Sequence, residues 1–289
     1  MTLKYLSDEH ILVKISLFKI LHLWVPLSLS IYALIFLPPP KIEVFLLNTA
    51  IVYLTVCLGH CVGLHRYIIH QSFKMSFNAT PFFLLISSLS GIGGPKTWIK
   101  VHALRDHWQN QIEAPKALKY DNSMAHDFFI NLHCSIYPKE NKHLKRLPEG
   151  VASDPWVNLF EFIWVPLNIL IFTAVWYLWS LDLAIWLVAI RVTLSVVGHW
   201  LVGYIVHKWG YKSYGIKDVS EEGRNSLILG WLTFGEAYHN NHHKFPDSAS
   251  MGLKPKELDL GYCTIILLKI IGLAKEIKVS EDHFSKRKT

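Results

Sequence analysis

Four long apolar runs dominate the pattern of hydrophobic and polar positions. Most of the chain outside these runs is polar. The runs are Ile20–Leu37, Ile42–Leu64, Val157–Trp179 and Leu183–Val206. A helix that crosses a bilayer needs about 20 predominantly apolar residues, so each run is long enough to span one. Only Pro38–Lys41 and Ser180–Asp182 join the two runs of each pair. The pattern therefore predicts four transmembrane helices in two tight hairpins.

Two shorter apolar stretches predict helices that do not cross the membrane. Pro81–Ile92 has only 12 residues, too few for a span, and we expect it to be re-entrant or interfacial. Cys263–Leu273 is similarly short, and we expect it to lie on the membrane surface. With no internal repeat along the chain, residues 1–289 are predicted to form a single membrane domain.

The charge pattern gives this topology an orientation. The chain carries 29 Lys and Arg against 22 Asp and Glu, a net charge of +7. If the N-terminus is cytosolic, all but two of these basic residues, Lys41 and Arg191, lie on the cytosolic side, as the positive-inside rule requires. Attraction to anionic lipid headgroups explains the basic charge better than nucleic acid does. We expect Arg191, inside a span, to pair with Glu161 on the neighbouring helix.

Histidines are concentrated at a few points in the polar segments. Three clusters and one residue at the end of the last run stand out: His65 with His70; His102 with Asp106 and His107; His239 with His242 and His243; and His207. The predicted topology places all of them on one side of the membrane. We therefore predict an all-α integral membrane protein, with four transmembrane helices in two hairpins and a cytosolic histidine-rich helical cap.

The spacing of these histidines indicates a metal site. His239, His242 and His243 share one face if their segment is helical, and so do His102 and Asp106. Crowded imidazoles without a metal would leave polar groups to satisfy, whereas imidazole is the commonest transition-metal ligand. Isolated histidines, by contrast, are expected to be surface or core residues. His199 and His207 lie about 12 Å apart along a helix, and of the two we expect His207 to bind metal.

The type of ligand narrows the choice of metal. Histidine nitrogens with a carboxylate and no thiolate fit iron, zinc or manganese. The candidate ligands exceed the four that one tetrahedral zinc needs. Two iron ions therefore fit better, with Glu236, Asn240 and Asn241 as hydrogen-bonding partners of the ligands.

These motifs, in this order between paired hairpins, resemble those of the membrane fatty acid desaturase family, the acyl-CoA delta-9 type included. The resemblance runs from about Val44 to Ser248 and is most specific at Gly235–Pro246, which is similar to the third histidine box of that family. His65–His70 resembles the first box, and His207–Tyr211 resembles the segment that adds a further ligand. The resemblance implies a di-iron centre that uses dioxygen and two electrons to insert a cis double bond into an acyl chain.

The second box departs from the family pattern. Arg105 and Asp106 stand where two histidines are expected, His107 comes one position late, and Gly203 replaces an expected asparagine. Arg105 stays protonated and cannot bind a metal, so Asp106 or His107 is the expected substitute. The segment around Gly198–Trp200 resembles a divergent bacterial branch of the family. The full set of expected ligands is His65, His70, His102, Asp106, His107, His207, His239, His242 and His243.

The resemblance also implies partners and leaves alternatives open. We expect an acyl-CoA or acyl-lipid substrate, the lipid bilayer, and a separate electron donor of ferredoxin or cytochrome type, because no haem or iron–sulfur pattern is present. The basic cytosolic face would suit an acidic donor, and lipid headgroup contact explains it equally well. A lipid hydroxylase on the same scaffold is one alternative. A non-catalytic lipid-binding homologue with a degenerate second box is the other.

Overall fold

Helices form most of the chain and follow the predicted apolar runs. The computed structural model describes residues 1–109, 111, 113–141, 144, 147–215 and 223–284; the predicted domain also includes residues 285–289, which lie outside the described part. The α-helices are α1 Leu17–Phe36, α2 Ile42–Val52, α3 Thr80–Leu89, α4 Pro95–Gln109, α5 Met124–His133, α6 Pro155–Leu178, α7 Leu181–Ala184, α8 Ile190–Lys208, α9 Leu227–Leu232, α10 His239–Lys244 and α11 Leu260–Ile270. Two single turns, Lys116–Leu118 and Val151–Ser153, are 3₁₀-helical.

Within the described residues, four continuous helices are long and apolar enough to cross a membrane. They are Leu17–Phe36, Ile42–Ile69, Pro155–Leu178 and Leu181–Lys208, with 20, 28, 24 and 28 residues. Each coincides with one predicted run, so the prediction of four spanning helices is confirmed. Pro38–Pro40 separates the first pair, because proline lacks the amide hydrogen that would continue a helix. Ser180 separates the second pair and accepts a hydrogen bond from the amide of Leu183, which starts the next helix.

The second spanning helix widens before it reaches the histidines. After α2 the chain continues through π-helical turns over Tyr53–Ile69, and the amide of His70 donates to the carbonyl oxygen of His65, five residues back, at 3.1 Å. α3 packs directly on this segment. A methyl group at Gly63 would lie 2.5 Å from the ring of Phe83 on α3. The close approach explains why a residue without a side chain stands at position 63.

Two small antiparallel sheets were not predicted. β1, Ile11–Ile15, pairs with β3, Cys134–Pro138, and β2, Lys74–Met75, pairs with β4, Ala274–Lys275. The fold remains mostly helical, as expected, but these pairs tie distant segments of the cap together. The strand Ile11–Ile15 begins with three consecutive apolar residues and so lacks the alternation that predicts a strand. Lys74–Met75 is too short to show any alternation.

The predicted ion pair between Arg191 and Glu161 is wrong. Arg191 donates instead to the side-chain oxygen of Asn168 at 3.4 Å and to the carbonyl of Leu187, while Glu161 accepts from the backbone and side chain of Thr97. The reason is that the two side chains lie at different depths along the spanning helices. At about 1.5 Å per residue, Glu161 lies roughly 9 Å from the start of α6. Arg191 lies roughly 25 Å from the end of α8, the end that carries His207. Asn168 lies much closer to the depth of Arg191.

Candidate metal centre

The predicted ligand histidines meet in two neighbouring groups. The first histidine group consists of His65, His70, His102 and His242, and the second histidine group of His207, His239 and His243. In each group, one candidate ligand atom per residue can be chosen such that all of them lie within 4.8 Å of one another. Segments more than 170 residues apart in sequence thus contribute to one group.

The wide turns after α2 bring the first two ligands together. Residues five apart on a regular α-helix point about 140° away from each other. In this segment the Nε2 atoms of His65 and His70 are 3.1 Å apart. The ring of His102, from α4, lies 4.8 Å from that of His65, and the ring of His242, from α10, lies 4.9 Å from it. Three separate helices therefore supply the first histidine group.

The second histidine group joins the end of α8 to α10. The Nε2 atom of His239 is 3.1 Å from that of His207 and 2.9 Å from that of His243. His239 and His243 are four apart and share a helix face, as predicted. His242 belongs to the first histidine group instead. α10 therefore contributes imidazoles to both groups.

The spacing of the nitrogens fits metal binding. Two nitrogens that bind one ion at about 2.1 Å lie roughly 3.0–3.4 Å apart when the angle between the bonds is about 90–109°. The three Nε2–Nε2 distances agree with this range or fall just short of it. In addition, Nδ1 of buried His242 has no hydrogen-bond partner among the described residues. The rings of His242 and His239 are only 5.9 Å apart, so the two groups adjoin each other.

Burial keeps most of these imidazoles neutral. Desolvation lowers the pKa of His70, His239, His242 and His243 below the ordinary histidine value. A neutral imidazole has a free lone pair, which is the form that binds a metal. Burial acts in the same direction on His102, but the adjacent carboxylate of Asp106 outweighs it and raises the pKa of His102. Before metal binds, His102 is therefore the most basic of these side chains.

Asp106 and His107 do not belong to either group. The carboxylate of Asp106 lies 3.0 Å from Nδ1 of His102, so it contacts the side of the ring that faces away from Nε2. A carboxylate in this position orients the imidazole and increases its basicity. His107 is five residues from His102 on a regular helix and contacts the ring of Trp108. Neither residue is thus part of a histidine group, and metal binding by Asp106 or His107 stays a prediction.

A buried charge network holds His65. Its Nδ1 atom lies 2.6 Å from Glu236, and the other carboxylate oxygen of Glu236 accepts from Arg66 at 3.2 Å. Arg66 is fully buried and also donates to both oxygens of Asp259 at 3.0 and 3.1 Å. Asp259 in turn caps α11 by accepting from the amide of Tyr262. The start of the last helix is thus connected to the first histidine group through three charged side chains.

Of the three expected partners of the ligands, Glu236 alone contacts a ligand imidazole. Asn240 accepts from the backbone amides of Ser213 and Tyr214. Asn241 donates to the carbonyl of Met251 and to Glu257. The two amides therefore hold α10 in place against the following loops, and the expectation that they bond the ligands is corrected.

Sequence reasoning missed a histidine next to the first histidine group. His60 is buried, and its ring lies 4.5 Å from that of Trp98 and 5.4 Å from that of His199. Trp98 also contacts His65 and His102 at 5.8 and 5.0 Å. The five-residue step from His60 to His65, repeated from His65 to His70, was the available signal. This spacing brings the side chains near one another only in π-helical turns, in which each hydrogen bond spans five residues.

These observations define a class of protein: a multi-pass membrane protein with two adjoining histidine groups suited to metal. Residues 44–253 match the fatty acid desaturase family. Because this match covers more than half of the chain, the chain belongs to that family, as the histidine motifs had indicated. It is accordingly an oxidoreductase of fatty acid metabolism, and membership of the family implies an iron cofactor.

Individual relatives agree with this assignment. The chain is 28% identical over 229 residues to an sn-1 stearoyl-lipid 9-desaturase of Anabaena variabilis, covering 79% of this chain and 82% of the relative. It is 30% identical over 236 residues to the Delta-9 desaturase-like 3 protein of Arabidopsis thaliana, covering 81% and 76%. It is 28% identical over 227 residues to an acyl-CoA C20 Delta5-desaturase of Anemone leveillei, covering 78% and 71%.

Proposed function

We propose that this protein is a di-iron desaturase that inserts a cis double bond into a fatty acyl chain, with dioxygen as oxidant and electrons from a separate carrier protein. The observation that supports this most is the division of α10 between two adjoining histidine groups. A single ion needs no second group, whereas two ions in neighbouring groups can act on one substrate. The names of the relatives support an acyl-lipid or acyl-CoA substrate.

The chain provides the ligands and holds them in position. His65, His70, His102 and His242 would hold one iron, and His207, His239 and His243 the other. The irons would supply the activation of dioxygen and the removal of hydrogen from two neighbouring methylene groups. Glu236 and Asp106 keep Nδ1 of His65 and His102 occupied, so that Nε2 of each ring is directed to the metal. In this proposal Asp106 acts through His102, and His107 has no part in the centre.

Burial of the site excludes water from the reacting atoms. His65, His207 and His242 are each at most 6% exposed, and the indole of Trp98 lies against the rings of the first histidine group. An apolar acyl chain would enter from among the spanning helices and be held by burial of its methylenes. Such contacts position a chain but discriminate weakly between neighbouring chain lengths.

The proposal includes the orientation of the protein and its redox partner. The positive-inside rule supports a cytosolic location for both histidine groups. The donor, of ferredoxin or cytochrome type, would then dock on the basic cytosolic face, where opposite charge speeds association. If so, the rate of electron transfer from an acidic donor falls as ionic strength rises.

A histidine substitution tests the proposal. We expect His242→Ala to lose iron and desaturation together while the protein still inserts into the membrane, because His242 belongs to the first histidine group. His126→Ala, on the surface of α5 and outside both groups, is the matched control. Iron per purified chain and the fatty acids of an expressing host, by gas chromatography with mass detection, are the measurements. Full activity in His242→Ala would refute the site.

Product mass distinguishes the alternatives. A desaturated product has lost two hydrogens, whereas a hydroxylated product has gained an oxygen atom. A wild-type chain with near two irons but only hydroxylated lipid would indicate the hydroxylase. A wild-type chain that binds almost no iron and changes no lipid would indicate the non-catalytic homologue.

A further inference from the structure

A tyrosine covers one face of a proposed ligand in the second histidine group. The ring of Tyr120 stacks on the ring of His207 with centroids 4.0 Å apart and an angle of 5° between the planes. Tyr120 is only 8% exposed and follows the single turn Lys116–Leu118, far from any histidine motif. A parallel ring at this distance restricts the rotation of the imidazole about its side-chain bonds.

The residue that interrupts the second histidine box holds this tyrosine. Arg105 donates from Nη1 to the hydroxyl of Tyr120 at 2.9 Å, and its guanidinium lies 5.3 Å from the centre of the ring. The other terminal nitrogen of Arg105 donates to the side-chain oxygen of Asn131 on α5. The planar guanidinium can hold both partners at once because its donors are fixed relative to each other.

The network extends back to the helix that carries His207. Asn131 donates to Asp127 at 3.0 Å, and the indole of Trp200, on α8, donates to the same carboxylate oxygen at 2.7 Å. Trp200 precedes His207 by seven residues, two turns of α8. Arg105 and Tyr120 therefore lie in a frame that is anchored to α8 at two levels, the imidazole of His207 and the indole of Trp200.

Gly203 leaves the space that this arrangement needs. A methyl group at position 203 would lie 3.8 Å from the hydroxyl oxygen of Tyr120, which is ordinary contact. A longer side chain directed toward Tyr120 from this position would meet that hydroxyl. Two of the departures from the family pattern, at Arg105 and at Gly203, thus meet at one phenol group.

We propose that Tyr120, held by Arg105, is a positioning residue that fixes the ring of His207 and thereby sets the metal affinity of the second histidine group. The inference rests on the proposed function in taking His207 as a ligand. Partners that orient a metal-binding imidazole typically change affinity by about 10–100-fold. The second histidine group has three imidazoles against four in the first, so a misplaced ring removes a larger share of its ligands.

Cobalt(II) is a suitable probe, because its visible spectrum reports coordination without turnover. We expect Tyr120→Leu to weaken the binding of one of two cobalt ions by about 10–100-fold and to leave the affinity for the other unchanged. Tyr120→Phe keeps the stacking ring and should recover most of the affinity. Tyr53→Leu is the matched control. The hydroxyl of Tyr53 lies 2.7 Å from that of Thr264 and its ring contacts Phe234, so its loss should lower stability without changing cobalt affinity.

A double-mutant cycle shows whether Tyr120 acts through His207. In a His207→Ala background, Tyr120→Leu should cause no further loss of affinity, whereas in a His70→Ala background it should have its full effect. Equal affinity of wild type and Tyr120→Leu would overturn the proposal, and so would an unchanged effect in the His207→Ala background. A wild-type chain that binds two cobalt ions, but forms no desaturated lipid when it is loaded with iron, would refute the proposed function and leave this role of Tyr120 standing.

Discussion

Replacing Arg66 by methionine should destabilise the protein and weaken metal binding together. Arg66 is fully buried and donates five hydrogen bonds, to Asp259, Glu236 and the carbonyls of Ala249 and Phe234. Methionine fills a similar volume but carries no charge. Two buried carboxylates then lose their cation, and Glu236 loses the anchor that holds it against His65.

The loss of stability in Arg66→Met depends on the hydrogen bonds that the two carboxylates keep. Removing one partner of a buried ion pair costs about 3–5 kcal/mol. Asp259 keeps hydrogen bonds from the amides of Met251 and Tyr262, so the lower end of the range, about 3 kcal/mol, is the better expectation. At about 2–4 °C per kcal/mol, this corresponds to a fall in Tm of roughly 6–12 °C. Metal affinity should fall by about 10–100-fold, because Glu236 orients a ligand.

Thermal unfolding in detergent and iron per chain are the measurements. Arg66→Lys should rescue little, because an ammonium cannot contact both oxygens of Asp259 and also reach Glu236 in the same geometry. Arg224→Met is the control, since Arg224 is partly exposed and donates to the carbonyl of Gly210. An Arg66→Met variant with the Tm and iron content of wild type would refute the reasoning.

Three further changes test other parts of the structure. Chelation should lower Tm, because ions held at a hundredfold excess over their Kd stabilise the folded state by about 2.7 kcal/mol each; an unchanged Tm would contradict binding to the folded protein. Gly63→Ala should destabilise by about 1–3 kcal/mol, since the new methyl would lie 2.5 Å from Phe83, while Gly198→Ala, with open space around it, should be tolerated; equal Tm values for the two would argue against this packing. Arg191→Met should raise Tm, because a charge within a span costs about 2.5–3.5 kcal/mol and its contact with Asn168 is long at 3.4 Å; a fall in Tm would mean that Arg191 has a stabilising role.

The sequence by itself determined the four spans and the identity of the ligand candidates. Apolar runs of this length have one stable form in a bilayer, a helix, because every backbone polar group must be bonded within the segment. The spacing of residues within one helical turn also predicted which side chains lie together. The four-residue step from His102 to Asp106 predicted a shared helix face, and the two side chains are in contact. Such inferences succeed because they need only helix geometry.

Only the tertiary structure decided how the ligands are divided and what holds them. α10 meets imidazoles from three other segments, so His242 joins one group and His239 with His243 the other. Arg66 meets Asp259 across 193 positions, and Tyr120 covers His207 across 87. These contacts depend on how the helices pack, on the wide turns after α2 and on the depth of each side chain. No periodicity along one helix records them, because each contact joins segments that are positioned by different parts of the core.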